Sequence, residues 1–236
     1  MSALTVRNLN SYYGSSHILW NVAFDVEEGT SAVLLGRNGA GKTTSFKSIM
    51  NLGPSVRGRI LLRGEDVTGV PPHRLARRGM GYVPEDRRIY AGFSVTENLR
   101  LGGFAFSSNG RPMEPDEVFD LFPLLKPLAA RRGGQLSGGE QQLLAVARCL
   151  VGRPSVMLLD EPSEGLAPVI ARNVLDALRS LRENTDFTLL LAEQNVSFAM
   201  NLATHVHVLE QGELVYSGTK EAFDADPALK TRYLSL

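Results

Sequence analysis

The sequence has little of what marks secreted, membrane-spanning or nucleic-acid-binding proteins. A single cysteine, Cys149, excludes an internal disulfide framework and suits a reducing compartment. Lys plus Arg number 25 and Asp plus Glu number 25, so the formal net charge is zero. General nucleic-acid binders are usually basic, and no nucleic-acid partner is therefore expected. The first residues lack a basic segment followed by an apolar stretch, so no signal peptide is expected. The longest apolar runs are far shorter than the roughly 20 residues that span a bilayer.

Short apolar runs alternate with helical patterns along most of the chain, which is typical of an α/β fold. Hydrophobic residues make up 43% of the 236 residues, enough for a sizeable core. Two entirely apolar runs predict strands that are buried on both faces of a parallel sheet. Strands in the N-terminal part are predicted at residues 3–8, 22–26, 31–35 and 60–64.

The alternation of strands and helices is interrupted at residues 87–150, where the signals are mainly helical. We therefore expect one domain over residues 1–236. Residues 1–86 and 151–236 would form its nucleotide-binding sheet core, and residues 87–150 a helical subdomain inserted into it.

A glycine-rich segment, GRNGAGKTT at residues 36–44, matches the phosphate-loop pattern G-x-x-x-x-G-K-[ST]. The glycines let the backbone N–H groups turn towards phosphates, Lys42 can reach the outer phosphates, and the Thr43 hydroxyl can bind Mg²⁺. A predicted strand before the segment and a helical pattern after it supply the required context. The residues expected to contact the nucleotide are Gly36, Arg37, Asn38, Gly39, Ala40, Gly41, Lys42, Thr43 and Thr44.

A second element of the same kind of site is VMLLDE, residues 156–161, where a buried strand ends in two acids. Asp160 is suited to holding Mg²⁺ directly or through water. Glu161 could orient or deprotonate an attacking water. A strand-end acid can also simply cap the next turn, but the phosphate loop favours the catalytic interpretation.

Between these two elements lies LSGGEQQ, residues 136–142. By itself it could be an ordinary helix start, because Ser137 and Glu140 have the spacing of a capping box. A helix start with two glycines can also press its free N–H groups against a phosphate. Its position between the other two elements favours phosphate binding by Ser137, Gly138, Gly139 and Glu140.

The three elements together resemble the ATP-binding-cassette (ABC) ATPases over essentially the whole chain. The resemblance implies an α/β P-loop NTPase fold with a mainly parallel core sheet, an N-terminal antiparallel β subdomain and an inserted helical subdomain. It also implies ATP and Mg²⁺ as ligands. Tyr13 matches the aromatic residue that stacks on adenine, with Tyr12 as a neighbouring candidate.

Two positions depart from the common family pattern. The glutamine of the loop joining sheet and helical subdomain is here Glu85, and the histidine after the last core strand is here Gln194. Glu85 can still contact Mg²⁺ or the water, as an anion. Gln194 can donate a hydrogen bond to the γ-phosphate but cannot take up a proton near neutral pH. With Lys42 and Glu161 retained, we expect altered rather than abolished hydrolysis.

The segments YVPEDRRIYAGFSVTENLRLGG, DEPSEGLAP and AEQN resemble one ATPase subunit of bacterial branched-chain (hydrophobic) amino-acid importers. The ATPases of amide and urea importers are very similar. A non-transport ABC ATPase and an exporter ATPase are the other interpretations. The importer resemblance implies two transmembrane permease subunits, a second ABC ATPase that is expected to be a different chain, and a periplasmic solute-binding protein.

In that family two cassettes dimerise head to tail, and each ATP lies between one chain's phosphate loop and the other chain's LSGGE helix. The resemblance therefore implies that Ser137, Gly138 and Gly139 face the partner's ATP. It also implies a peripheral position on the cytoplasmic face of the bacterial inner membrane. The isolated chain is expected to bind ATP but to hydrolyse it poorly.

Overall fold

A computed structural model describes residues 1–104, 110–184 and 187–234 of the chain. The strands in chain order are β1 (Ser2–Tyr13), β2 (Ser16–Glu27), β3 (Ser31–Leu35), β4 (Ser55–Leu62), β5 (Glu65–Asp66), β6 (Met80–Val83), β7 (Val156–Asp160), β8 (Thr188–Glu193), β9 (His205–Glu210) and β10 (Glu213–Thr219). The α-helices are α1 (Lys42–Ile49), α2 (Pro72–Arg77), α3 (Val95–Gly103), α4 (Pro115–Leu121), α5 (Gly138–Val151), α6 (Pro168–Asn184), α7 (Val196–Met200), α8 (Lys220–Ala225) and α9 (Pro227–Leu234). Short 3₁₀ helices occupy Pro123–Leu128 and Gly133–Gln135.

The chain forms two compact units. The first unit comprises Met1–Pro72 and Thr188–Leu236, and the second comprises His73–Phe187. The subdomain boundaries expected at residues 87 and 150 stay a prediction. The α/β class is confirmed, because each unit combines parallel strands with helices.

The first unit is built on β3, which pairs in parallel with β8 on one side and with β9 on the other. All residues of β3 and of β8 are buried, which explains their uniformly apolar character. Leu35, the last residue of β3, is level with Glu193 of β8 and with Val208 of β9. The carboxyl ends of these strands therefore share one edge of the sheet.

A second sheet of the first unit is antiparallel, with strand order β2–β1–β4–β5. The prediction for residues 3–8 and 22–26 was too short, because β1 and β2 each contain 12 residues. The pairing of β1 with β4 shifts between Arg7 and Asn10. There Asn8 has a positive φ of 48°, and a Cβ on Gly58 would lie only 2.6 Å from the Arg7 carbonyl oxygen. Such a bulge breaks the alternation on which strand prediction depends.

A tight turn joins the last two strands. β9 and β10 are antiparallel and are joined at Gln211 and Gly212, whose φ angles are 48° and 84°. Two successive positive φ angles are typical of the type I′ turn of a tight hairpin. This turn lies at the same sheet edge as the end of β3.

The second unit contains the parallel pair β6 and β7 together with α3 to α6. The helix predicted to begin after Ser137 does so, and the Ser137–Glu140 and Ser94–Glu97 capping boxes are both formed. Cys149 of α5 is half-buried among its neighbours, and desolvation of the sulfur raises the pKa of its thiol to about 12. None of the described helices is both long and apolar enough to cross a lipid bilayer.

His207 is a buried titratable group in the core of the first unit. It lies on β9, and its Nδ1 is 3.0 Å from the Ser217 hydroxyl oxygen of β10. Its ring also packs 5.0 Å from the ring of Phe24. Burial, with a smaller contribution from His205, lowers the pKa of His207 to about 4. The folded chain therefore keeps this imidazole neutral at pH values where an unfolded chain would protonate it.

We predict that His207 makes the first unit sensitive to acid. Between pH 6.5 and 4 the unfolded chain binds the proton more strongly, so the free energy of unfolding falls as pH falls. The difference in pKa corresponds to roughly 3 kcal/mol once the pH is below both values. His207→Gln should flatten this dependence. The measurement is urea unfolding followed by the emission of Trp20, the chain's only tryptophan, at several pH values.

The control for this experiment is His73→Gln, at an exposed position. That variant should keep the wild-type dependence on pH. An identical acid dependence in wild type and His207→Gln would contradict the prediction.

Candidate functional site

The phosphate loop of the first unit connects β3 to α1. Gly41 is the N-cap of α1 and has a φ of 108°, a conformation that side chains other than glycine rarely adopt. A Cβ on Gly41 would also lie 2.7 Å from Cδ2 of Leu19, so the loop packs closely against β2. Arg37, Asn38 and Gly39 are exposed. The loop is thus anchored at its helical end and accessible at its tip.

Lys42 lies inside the curve of this loop. Its side chain is buried, and Nζ donates to the carbonyl oxygens of Gly36 at 2.7 Å and of Arg37 at 3.1 Å. The ammonium group thereby stabilises the curl of the backbone that carries it. Charge-assisted bonds to phosphate oxygens are stronger than bonds to neutral carbonyls, so the same group is suited to bind an anion here. Thr43 and Thr44 follow in half-buried positions.

The two tyrosines at the end of β1 differ in their surroundings. The Tyr12 ring stacks on the His17 ring at 4.2 Å, and the Arg57 guanidinium lies 5.4 Å from its centre. Tyr13 is 42% exposed at the end of the strand. Exposure of a large ring at this position favours Tyr13 over Tyr12 as an adenine-stacking residue. Its role stays a prediction.

Gln194 directly follows β8 and is half-buried. Glu193 pairs with Leu35, the last residue before the phosphate loop. Gln194 therefore leaves the sheet at the same edge as the phosphate loop. The Asn195 amide donates to Glu193 Oε2 at 3.1 Å, and the Asn195 side chain accepts from the Phe198 amide to cap α7. The turn that carries Gln194 is therefore fixed on its C-terminal side.

Asp160 is completely buried at the end of β7 in the second unit. The Tyr82 hydroxyl of β6 donates to Asp160 Oδ2 at 3.1 Å. Burial, and after it the negative charge of Asp160, raises the pKa of Tyr82, so its phenol stays protonated and keeps donating. The sequence analysis did not identify Tyr82. No local pattern in the sequence indicates its role, because the hydrogen bond joins positions 78 residues apart.

Glu161, the next residue, is held in an uncommon backbone conformation. Its φ is 47°, in the left-handed region, which costs a residue with a Cβ about 1 kcal/mol or more. The turn is closed by the Glu164 amide, which donates to the Glu161 carbonyl oxygen at 3.1 Å. Such outliers persist where the surrounding structure imposes them, often at functional sites.

Glu85 lies in a turn just after β6 and is exposed. The turn is closed by the Arg87 amide, which donates to the Pro84 carbonyl oxygen at 3.0 Å. Asp86 forms an exposed ion pair with Arg88 at 2.8 Å. Glu85 therefore presents a solvated carboxylate.

The LSGGE helix start, residues 136–140, is exposed at Ser137 and Gly138. The Ser137 hydroxyl donates to Glu140 Oε2 at 2.9 Å, and the Glu140 amide donates back to Ser137 Oγ at 3.3 Å. A Cβ on Gly138 would lie 2.8 Å from Nη1 of Arg87. The Arg87 guanidinium therefore lies beside the first residue of α5.

The second glycine of this segment also has a packing role within the chain. A Cβ on Gly139 would lie 3.2 Å from both Cγ atoms of Ile170 in α6. The need for two glycines thus has a cause besides access of a phosphate to the backbone. Access of a phosphate could be inferred from the local sequence. The packing against α6 could not, because that contact joins positions that are distant in sequence.

The oxygen donors predicted for Mg²⁺ are chemically suited to it. Among the described residues no group of three or more His, Cys, Asp or Glu side chains could enclose a metal ion. Mg²⁺ is characteristically held by one or two protein oxygens, with waters and substrate phosphates completing the octahedron. The Asp160 carboxylate of the second unit and the Thr43 hydroxyl of the first unit are each an oxygen donor of the type that Mg²⁺ prefers.

Comparison with known proteins agrees with this set of motifs. A family described as "ABC transporter" matches residues 19–164. The high-affinity branched-chain amino acid transport ATP-binding protein BraG of Pseudomonas aeruginosa is 37% identical over 231 residues, 98% of this chain and 99% of that protein. The lipopolysaccharide export system ATP-binding protein LptB of Escherichia coli K12 is 31% identical, covering 99% of this chain and 98% of that protein.

A comparison with solved structures supports the same fold. The crystal structure of the ADP conformation of MJ1267, an ATP-binding cassette of an ABC transporter, superposes with a TM-score of 0.79. The two chains are 25% identical, and each is covered completely. The P-loop NTPase fold is thereby confirmed.

We predict that Lys42→Ala weakens ATP binding by roughly tenfold or more, since a bond to a charged group contributes about 1.5–3 kcal/mol. The variant also loses the ammonium group that holds the Gly36 and Arg37 carbonyls. The measurement is titration with a fluorescent ATP analogue. Lys47→Ala, in the last turn of the same helix, is the control and should bind as wild type does. Equal affinities of the Lys42 variant and wild type would refute the assignment.

Proposed function

The chain belongs to the ABC transporter family, and from this membership we propose that it is the ATP-hydrolysing subunit of an importer of branched-chain or other hydrophobic amino acids. The observation that carries the proposal is the identity of 37% with BraG over nearly the whole of both chains. The segments that resembled this subfamily in the sequence support the same substrate class. As in ABC ATPases generally, the reaction converts ATP and water to ADP and phosphate.

In the proposed mechanism, the phosphate loop binds the triphosphate and Tyr13 stacks on adenine. Lys42 stabilises the charge that develops on the outer phosphates, and Glu161 orients or deprotonates the attacking water. Thr43, Asp160 and Glu85 are the proposed ligands of Mg²⁺. When bound, Mg²⁺ would neutralise charge on the phosphate oxygens.

The buried environment of Asp160 supports its proposed role. The Tyr82 hydroxyl donates to Asp160 Oδ2 and thereby fixes the orientation of the carboxylate. Hydrogen bonds of this kind to a ligating carboxylate tune the site and keep the ligand in place. The left-handed backbone of Glu161 likewise fixes the direction of a side chain directly beside the metal ligand.

We further propose that catalysis requires two cassettes. The N–H groups at the start of α5, with Ser137, Gly138 and Gly139, would bind the ATP held by a second ABC ATPase, in our proposal a different chain. The exposure of Ser137 and Gly138 supports this role. ATP binding would favour the closed pair and hydrolysis would reopen it, which is a population shift driven by ligand affinity.

Two transmembrane permease subunits and, indirectly, a periplasmic solute-binding protein complete the proposed importer. A surface for the permease is available at residues 90–93, where Tyr90 is 52% and Phe93 45% exposed. The buried Asn98 side chain donates to the carbonyl oxygens of both residues, so the apolar segment is held in place. Exposed apolar residues that are held rigidly often mark protein contacts. The chain would thus lie at the cytoplasmic face of the inner membrane as a peripheral subunit.

A second candidate function is lipopolysaccharide export. It is favoured by the 31% identity with LptB, which also extends over nearly the whole of both chains. The residues that handle ATP would be the same in both cases. The transported molecule is not in contact with an ATPase subunit in such transporters, so the two functions differ in the membrane partners.

We predict that Glu161→Gln leaves ATP binding intact and slows hydrolysis by roughly 100-fold or more, because it removes the base but little volume. The measurement is phosphate release by the assembled transporter, with ATP affinity determined in parallel. Glu164→Gln, in the same turn, is the control for loss of a negative charge and should remain active. Normal turnover by the Glu161 variant would place the base elsewhere.

The transport function is tested by purifying the chain with its membrane partners and reconstituting them in vesicles. We expect ATP-dependent uptake of labelled leucine, isoleucine or valine that requires a solute-binding protein. The Glu161→Gln complex serves as the inactive control. Uptake of amides or urea instead, or extraction of lipopolysaccharide from the vesicle membrane, would replace the proposed substrate.

A further inference from the structure

Gly212, in the turn between β9 and β10, connects the phosphate loop with strand β2. Its amide donates to the Ala40 carbonyl oxygen of the loop at 2.9 Å. Its own carbonyl oxygen accepts from the Trp20 amide of β2 at 2.8 Å. One residue therefore forms two main-chain hydrogen bonds in series, and all three segments belong to the first unit.

Only glycine fits at this point. Gly212 has a φ of 84°, and a Cβ there would overlap the Ile18 carbonyl oxygen of β2. It would also lie 3.1 Å from Cδ1 of Trp20. On the loop side, the position of a Cβ on Gly41 is 3.7 Å from the Gly212 Cα atom. The turn is thus packed tightly between the phosphate loop and β2.

Strand β2 is paired with β1, which ends in Tyr13. The pairing includes Tyr13 itself, which is level with Ser16, and Ser11, which is level with Leu19. The position of the proposed adenine-stacking ring is therefore linked through β2 and Gly212 to the Ala40 carbonyl. A ligand that contacts both the Tyr13 ring and the phosphate loop requires a fixed distance between them.

We propose that Gly212 is a positioning residue for ATP, which sets the spacing between the phosphate loop and the hairpin that carries Tyr13. The proposal rests on the proposed function, in which ATP spans these two elements. Gly212 itself would not touch the nucleotide. Its contribution is to hold the phosphate loop and the hairpin at the spacing that ATP requires before ATP binds. Binding then does not have to order these two elements.

The first experiment compares Gly212→Ala with Gly64→Ala in the isolated chain. Gly64 has nearly the same φ, 81°, but a Cβ there would meet no atom within 4 Å. Both variants therefore place an alanine at a positive φ. Only in Gly212→Ala does the new Cβ displace neighbouring atoms. We expect Gly212→Ala to weaken ATP binding by roughly tenfold or more, and Gly64→Ala to bind as wild type does. Far-UV circular dichroism and thermal unfolding check that each variant is folded.

Two further measurements separate positioning from a general structural defect. Pyrophosphate engages only the phosphate loop, so its affinity should fall much less than that of ATP in Gly212→Ala. In a double-mutant cycle, Gly212→Ala should have little further effect on ATP affinity when Tyr13→Ala is already present. Equal losses for pyrophosphate and ATP, or additive effects of the two substitutions, would overturn the proposal.

Hydrogen exchange of the wild-type chain tests the proposal even where Gly212→Ala fails to fold. ATP should slow exchange of the Gly212 amide, because the ligand stabilises the loop that accepts its hydrogen bond. The Arg63 amide, which donates to the Ala3 carbonyl oxygen at 2.9 Å beside Gly64, is the control and should be unaffected. Unchanged exchange at Gly212 under saturating ATP would refute the inference alone, whereas absence of ATP binding by wild type would refute the proposed function.

Discussion

The parallel pairing of β3 with β8 and β9 is the constraint on which the nucleotide-binding part of the molecule depends. It brings three chain segments to one edge of a sheet: the phosphate loop after β3, Gln194 after β8 and Gly212 after β9. More than a hundred residues of sequence separate the phosphate loop from the other two segments. Because β3 and β8 are buried along their whole length, a slip of register would displace all three segments together. The chemistry is carried by loops, and the sheet determines where those loops begin.

Much of this arrangement could be predicted from local sequence. The apolar runs of β3, β7 and β8 and the Gly-Lys-Thr step of the phosphate loop each carry their signal within a few residues. So does the capping box at Ser137, and the helix starts where that box predicts. What could not be predicted depends on contacts between distant positions. Tyr82 and Asp160 are 78 residues apart, and neither residue type indicates the hydrogen bond between them. The full length of β1 and β2 was hidden by a bulge, because the alternation of apolar residues stops where the register shifts.

The two departures from the common family pattern have different structural settings. Glu85 is exposed in a turn, where water screens its charge, so a carboxylate in place of an amide costs the folded chain little. Gln194 is half-buried beside the buried Glu193, in a turn held by Asn195. A neutral amide there adds no positive charge that would vary with pH.

In the proposed mechanism, stability and activity place opposite demands on the left-handed backbone position of Glu161. Glycine would adopt a φ of 47° without the steric cost that a Cβ imposes, so Glu161→Gly relieves strain while it removes the carboxylate. Natural proteins retain such unfavourable residues only while function is under selection. Given the proposed role of Glu161, a directed-evolution screen that rewarded thermal resistance alone would therefore enrich inactive variants at this site.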